Sequence, residues 1–515
     1  MEGVPMLMTA ADYRESLRAY KPRVFVNGSA VDSVADEPLF APGINAIGVA
    51  YDFAHAPEHR TIMTARQGPS GKTVNRMAHI NETSTDLLYK LEAVRLVCRT
   101  SGCAQRYLTH DSLNALHQAT RRTDDAHGTD YADRLGVYIE RVQDEDLTVG
   151  IAMTDAKGDR SRRPGAQINP DTYVHIAERR PDGIVIRGTK AIVTSAPYVH
   201  DFMVMPCRTM APEETDFAVC CAVPVDAPGV TIIARPAGRP GENGAAFTGR
   251  YGQSTGVVVF DDVFVPHERV FLAGETEEGG FLTTAYATHH RHSCIGARAG
   301  FGDLLIGASA LMTEANGLDP DDHGHIREAM VELITITEGF FACGVAASVY
   351  GTRDPSGAMM PETVFANIGK LLLATKIYDM HRIAHYVSGG LVVALPGPDE
   401  DHNPETQASL AAVFGGRSDI PAEQRREVAR LVEDLTVSHQ GAWYSVISLH
   451  GGGSPEAMKR EIWRNYPVTD KVALIEDLLD RGVAADGRRV SKQPGRCCPT
   501  GCEVPTPPAD ATAAE

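Results

Sequence analysis

The densest chemistry in the chain is a run of imidazoles, His289-His290-Arg291-His292, with Cys294 two residues further on. Histidine exchanges a proton near neutral pH, so such a run can supply a general acid or base. Upstream lie Cys98, Cys103 and Tyr107, two sulfur donors and a phenol. Thiolates bind soft metals or attack electrophiles, and a phenol donates a hydrogen bond. If the stretch around the two cysteines is helical, a spacing of five turns Cys98 about 140° away from Cys103. His290 and Cys294, four apart, share one helix face. A third set, Met153-Thr154-Asp155-Ala156-Lys157-Gly158-Asp159-Arg160, places hydroxyl, amide and cationic donors in one turn, which suits a polar ring and a pyrophosphate. A fourth, Gly451-Gly452-Gly453-Ser454, is a turn whose backbone can approach phosphate. Cys497, Cys498 and Cys502 lack the histidine or second cysteine pair that would complete a zinc site, and read as tail thiols.

Three textures of sequence must hold these groups. From Thr9 to about Leu147 the pattern is mainly helical: an opening helix over Thr9–Tyr20, an extended Arg23–Gly28, then helical apolar spacing over Thr83–Cys103 and His110–Thr120. From about Val149 to Leu272 short strands alternate with turns, including a hairpin signal at Pro181-Asp182-Gly183. From about Gly279 to Leu479 helices return, expected over Gly302–Ala315, Ile326–Tyr350, Pro361–Ser388, Ala422–His439 and Asp470–Leu479. The expected class is α+β. It has a mainly helical N-terminal domain over residues 1–147, a β-barrel or sandwich over 148–275, a helical bundle over 276–482 and a disordered tail over 483–515.

Composition narrows the field. Lysine plus arginine total 49 against 67 acids, a net charge of −18, which argues against a general nucleic-acid binder. The ten cysteines have no regular spacing across 515 residues, so no disulfide framework is expected. The N-terminus lacks a basic then apolar leader, and no apolar run approaches ~18 residues. A cytoplasmic protein with no membrane contact is expected.

Three segments together resemble the middle domain of the acyl-CoA dehydrogenase-like flavoproteins. They are Ala152–Ser161, Gly188-Thr189-Lys190-Ala191-Ile192-Val193-Thr194 and Val259-Phe260-Asp261-Asp262-Val263-Phe264-Val265-Pro266. Tyr13–Leu17, Val26-Asn27-Gly28 and His450–Pro455 are similar to the 4-hydroxyphenylacetate 3-hydroxylase group within that superfamily. The resemblance implies FAD, with Met153, Thr154 and Thr194 at the ring. Lys157, Gly158, Asp159, Arg160, Gly452, Gly453 and Ser454 would then serve its phosphates.

That group has two branches. One hydroxylates phenols with reduced flavin and O2; the other, the 4-hydroxybutyryl-CoA dehydratases, adds a 4Fe–4S cluster held by three cysteines and a histidine. The dehydratase ligand positions fall on Cys103, Tyr107, His290 and Ala297, so two of four are kept. Tyrosine and alanine are poor replacements for thiolates, which points away from a cluster and leaves no metal ligand assigned. In the hydroxylase branch the Arg-x-x-x-Tyr substrate pair falls on Cys103 and Tyr107, and the proton-accepting histidine falls near Ile151. His290, assisted by Tyr107, is then the expected base, with Cys103, Ile151 and His292 lining the substrate.

The first expectation is a two-component monooxygenase. It would receive reduced FAD from a separate NAD(P)H-flavin reductase, since no Gly-x-Gly-x-x-Gly follows a strand. The resemblance also implies a homo-oligomer, a dimer of dimers. The rivals are a CoA-thioester dehydratase or isomerase and a non-catalytic flavoprotein-fold scaffold.

Overall fold

Two threonines start helices by the same device. Thr9 and Thr83 each accept the N–H three residues on, and Asp12 and Asp86 reach back to the threonine N–H, closing a capping box on Ala10–Ala19 and Ser84–Ser101. The computed structural model describes residues 7–68, 70–238 and 246–481. It divides into a large unit, residues 1–462, and a small one, residues 463–515, which carries the Val468–Glu476 helix. Most of the expected tail, with Cys497, Cys498 and Cys502, lies outside the described residues.

In the large unit the β-region is two sheets rather than a closed barrel. The larger has seven strands, ordered Ser29–Val31, Val24–Val26, Val230–Ala234, Thr255–Pro266, Gly183–Thr194 and Thr154–Asp155, with His175–Arg180 also pairing Gly183–Thr194. The N-terminal extended stretch is therefore part of this sheet, pairing Val24 with Ile232 in parallel. The Arg180–Gly183 hairpin forms where the turn residues require it, with Arg180 opposite Gly183. The smaller sheet runs Val270–Ala273, Val219–Pro224, Asp201–Val204, Val149–Ala152.

Alternation decides which core each side chain joins. Cys221, Phe202 and Val204 pack against Val258 and Phe260 of the larger sheet. Their neighbours Cys220, Met203 and Met205 turn the other way, into a core with Tyr107, Leu113 and Val142 of the helices. The smaller sheet thus has a β-face and a helical face.

The bundle differs from expectation at its start. The helix expected from Gly302 is the C-terminal end of one 40-residue helix, Thr276–Ala315. Its glycines do not break it, because they are where another helix crosses. A Cβ at Gly296 would lie 2.6 Å from the Leu91 carbonyl oxygen, and one at Gly300 would lie 2.5 Å from that of Arg95. Small residues one turn apart let the Ser84–Ser101 backbone touch the long helix. Helices Gly324–Val349, Thr363–Ser388, Ala422–Thr436 and His439–His450 complete the bundle.

Candidate active site

The long helix and the Tyr107–His127 helix meet along a buried polar seam. Thr109, His110, Asp111, Ser112 and Asn114 are all at most 0% exposed, an unusual run of polar groups in one core segment. Asp111 is its centre. Its Oδ2 lies 3.2 Å from His290 Nδ1, and its Oδ1 accepts Ser293 Oγ–H at 2.6 Å. Lys90 Nζ donates to Ser293 Oγ at 2.8 Å and stands 3.7 Å from Asp111 Oδ1. Burial works against the charge on Asp111, but Lys90, His110 and His290 together hold its carboxyl well below the usual range. Burial brings Lys90 down to about 8 against the pull of Asp111.

His290 meets two rings. It stacks with Tyr286, at 5.5 Å and 10°, and with Tyr107, at 6.0 Å and 27°. Its Nε2 lies 3.5 Å from Cys294 Sγ. Although burial disfavours its charge, Cys294 and Asp111 raise its pKa to about 9. Cys294 shifts the other way, its own burial being outweighed by His290, Lys370 and Arg298. The same contact raises the His290 pKa and lowers that of Cys294, and at neutral pH His290 holds a proton it can donate.

Cys103 lies across Tyr107 from this seam. The Ser84–Ser101 helix stops at Gly102, whose φ of +71° turns the chain back on itself. The chain after Gly102 therefore returns to Cys98, whose sulfur accepts Ala104 N–H at 3.5 Å, and the two thiols influence each other's charge, the reverse of the separation expected from a continuous helix. Gln105 Nε2 approaches Cys103 Sγ at 3.5 Å and Arg298 Nη2 at 3.9 Å. Burial alone would raise the Cys103 pKa, but Cys98, Arg298, Gln105 and Tyr107 outweigh it and bring it to about 6. Burial pushes the Tyr107 phenol well up, so it stays a neutral donor.

The expected flavin residues lie on the larger sheet. Thr154 pairs with Ile192, and Thr194 is two residues along the same strand, so all three side chains share one face. Ile192 is 52% exposed there, an apolar step between two hydroxyls. Lys190 faces the opposite way. Its Nζ donates to Met153 O at 3.0 Å and Met205 O at 2.8 Å and pairs with Asp155 at 2.7 Å, fixing the strand. The loop beyond it is open, with Gly158, Asp159 and Arg160 exposed and Lys157 and Gly158 at positive φ. Asp159 is committed to that loop, accepting from Ser161 N and Oγ at 3.0 and 2.7 Å. These groups fit a flat polar ring with a solvent-facing pyrophosphate.

Other expected residues fall elsewhere. The Gly-rich turn covers the histidine: a Cβ at Gly452 would lie 3.2 Å from His290 Cδ2, and Arg291 Nε donates to Gly452 O at 2.9 Å. Ser454 is exposed and donates nothing to His290. Ile151 is buried in the core that also holds Tyr107 and Tyr286. His292 is corrected: the helix turns it away, and its Nε2 meets Ser348 Oγ at 2.8 Å and Gly344 O at 3.1 Å between two helices. Burial holds it neutral, a structural imidazole.

Residues 9–272 match the family model described as 4-hydroxyphenylacetate 3-hydroxylase N terminal, and residues 280–480 match its C-terminal counterpart. The chain belongs to the 4-hydroxyphenylacetate 3-hydroxylase family. It is 33% identical over 485 residues to a 4-hydroxybutyryl-CoA dehydratase/vinylacetyl-CoA-Δ-isomerase of Clostridium aminobutyricum, covering 91% of this chain and 98% of that one. It is 25% identical over 466 residues to the oxygenase component of a 4-hydroxyphenylacetate 3-monooxygenase of Thermus thermophilus, covering 90% and 95%. The solved structure of an oxygen-tolerant archaeal 4-hydroxybutyryl-CoA dehydratase from N. maritimus matches with a TM-score of 0.88 at 32% identity, covering 96% and 98%. The fold is acyl-CoA dehydrogenase-like, as the motifs implied.

Within the family, the donors present here do not fit a three-cysteine, one-histidine cluster. At the positions the resemblance implies for two of the ligands, Tyr107 and Ala297 carry no thiolate, and the Arg298 guanidinium lies beside the Cys103 sulfur. Cys98 faces Cys103, and Cys294 faces His290, each in a pair. Among the described residues, no three His, Cys, Asp or Glu side chains converge to hold a metal ion.

Sequence reasoning missed Asp111, Lys90, Ser293, Arg298 and Lys370. The signal for Asp111 was the polar run Thr109–Ser112 directly before the apolar Leu113, Ala115 and Leu116. Lys370, fully buried and donating to Ser448 O at 2.6 Å, gave no sign of its position.

Proposed function

We propose that this chain is the oxygenase of a two-component flavin monooxygenase. It would hydroxylate or N-oxidise a small, electron-rich organic substrate, such as an aromatic, with O2. One oxygen atom enters the substrate, the other leaves as water, and reduced FAD is oxidised. The observation that carries this reading is the buried Tyr107–His290–Asp111 arrangement, a ring stack and a carboxylate–imidazole contact able to hold and move a proton.

Bound FAD supplies the electrons that activate oxygen. Thr154, Thr194 and the Met153 backbone would hold its ring, and Lys157-Gly158-Asp159-Arg160 its pyrophosphate. His290 Nε2 donates its proton to a substrate oxygen and takes it back, and Asp111 fixes the ring through Nδ1. Tyr107 donates its phenol hydrogen toward the substrate. Cys103 and Ile151 line the pocket, and Gly452 closes over the imidazole and keeps water from it. The reduced flavin arrives from a separate NAD(P)H-flavin reductase in the cytoplasm. Apolar side chains exposed on the bundle, Val331 and Ile334 on one helix and Leu372 and Tyr378 on another, support a homo-oligomer, a dimer of dimers.

A second reading has its own support. The 33% identity and the TM-score of 0.88 to dehydratases favour a redox-neutral lyase or isomerase acting on a CoA thioester. The two part on oxygen. With FAD, an added flavin reductase, NADH and ¹⁸O2, the monooxygenase reading expects label in a substituted phenol or amine. Conversion of 4-hydroxybutyryl-CoA without oxygen, and no label in any phenol or amine, would overturn it.

A further inference from the structure

The mechanism above uses Cys103 only as a wall, yet its surroundings are those of a reactive sulfur. Gln105 Nε2 at 3.5 Å and Arg298 Nη2 at 3.9 Å point at it, and Cys98 and Tyr107 stand near enough to favour its charge. Arg298 is buried, has no carboxylate partner among its described contacts, and leaves Nη1 without any partner. A guanidinium so placed favours the thiolate, the form that reacts with peroxides. The turn at Gly102 supplies the second requirement by bringing Cys98 onto Cys103. Cys98 is tied to the same turn, its sulfur accepting Ala104 N–H at 3.5 Å.

We propose that Cys98 and Cys103 form a peroxide-reactive dithiol beside the active site, with Cys103 the attacking sulfur and Cys98 the resolving one. The Cys103 thiolate attacks one oxygen of hydrogen peroxide; the O–O bond breaks, and the leaving hydroxide takes a proton to become water. Cys103 is then a sulfenic acid. The Cys98 sulfur attacks it, an S–S bond forms, the S–O bond breaks, and a second water leaves with the Cys98 proton. Two electrons pass from the dithiol to peroxide, and a thiol reductant restores the pair.

Hydrogen peroxide is what a reduced flavin and O2 yield when no substrate takes the oxygen, so its local source rests on the monooxygenase reading. The dithiol does not rest on it. Closing the disulfide removes the negative charge opposite Arg298. Oxidation would therefore change the pocket as well as consume peroxide.

The test uses added peroxide, so that the two readings can fail separately. Full-length protein is reduced, freed of reductant, treated with equimolar hydrogen peroxide, alkylated and digested with trypsin without reduction. Cleavage after Arg99 puts the cysteines in different peptides, Leu96–Arg99 and Thr100–Arg106. The proposal expects these two to appear joined, with loss of two hydrogens, before the half-exposed Cys343 is oxidised, and to separate after dithiothreitol. In Cys98→Ser, dimedone should label Cys103; in Cys103→Ser, Cys98 should stay unmodified. Both peptides alkylated and unlinked while Cys343 or Cys207 is oxidised would overturn the proposal. The wild-type digest decides this even if either variant fails to fold.

Discussion

Tyr107 stands between two anionic centres of opposite construction. On one side Asp111 is a permanent charge, tied to His290, Ser293, Lys90 and His110 from three helices. On the other, Cys103 is a titratable sulfur supported by donors, with a second thiol near it. A carboxylate in such a web fixes geometry, because every partner is lost together if it goes. A sulfur with its pKa near working pH can change charge or oxidation state without unfolding its surroundings. The first centre orients the proton donor; the second makes the pocket adjustable.

Breaking the fixed side should have the largest effect. Asp111→Ala leaves Lys90 and the His290 imidazolium buried without their counter-charge, and such removal costs about 3–5 kcal/mol. Urea unfolding should show that loss, while Cys103→Ala should cost well under half as much. Equal losses would mean that both centres are structural. His290→Ala should keep FAD binding and lower turnover by roughly 10²–10⁴-fold, the usual contribution of a positioned acid or base. Unchanged turnover would remove His290 from the chemistry.

The pH dependence sharpens the same contrast. His290 is raised from 6.5 to about 9 in the folded protein, so its stabilising contribution is complete below pH 6.5 and is lost as pH rises through 9. Lys90 and Lys370, both brought down to about 8, contribute slopes of the opposite sign. The difference between wild type and His290→Gln therefore isolates the histidine: the gap in unfolding free energy should narrow between pH 6.5 and 9. On the adjustable side, Arg298→Gln should raise the pKa for Cys103 alkylation from about 6 by about one unit or more, since an adjacent cation favours the thiolate. A rate–pH profile identical to wild type would show that Arg298 does not hold the sulfur. The smallest effect is expected at His292. His292→Asn should cost about 1 kcal/mol for its hydrogen bond to the Gly324–Val349 helix and leave turnover intact.

The sequence was legible wherever chemistry was local. The hairpin at Pro181-Asp182-Gly183 and the strand-rich middle region follow from nearest neighbours. The long helix was truncated at Gly302 because glycines read as breaks unless the crossing helix is known. Cys98 and Cys103 were separated because helical geometry was extended one residue too far, past Gly102. Asp111, Lys90 and Arg298 depend on contacts between residues up to 203 positions apart, such as Lys90 to Ser293, and no local pattern encodes those. His292 was drawn into the site by its neighbours, although its register on the helix sends it to the opposite face.

The account rests most heavily on flavin–oxygen chemistry at a site where the positions the resemblance gives to two cluster thiolates hold Tyr107 and Ala297. Its most direct test is an iron assay and absorption spectrum on protein purified without oxygen, followed by reduced FAD and then O2. The account predicts protein without stoichiometric iron that binds reduced FAD and whose oxygen uptake yields oxygenated substrate. Iron near about four per chain, with a broad absorption that bleaches on reduction, and turnover of a CoA thioester without oxygen would contradict it.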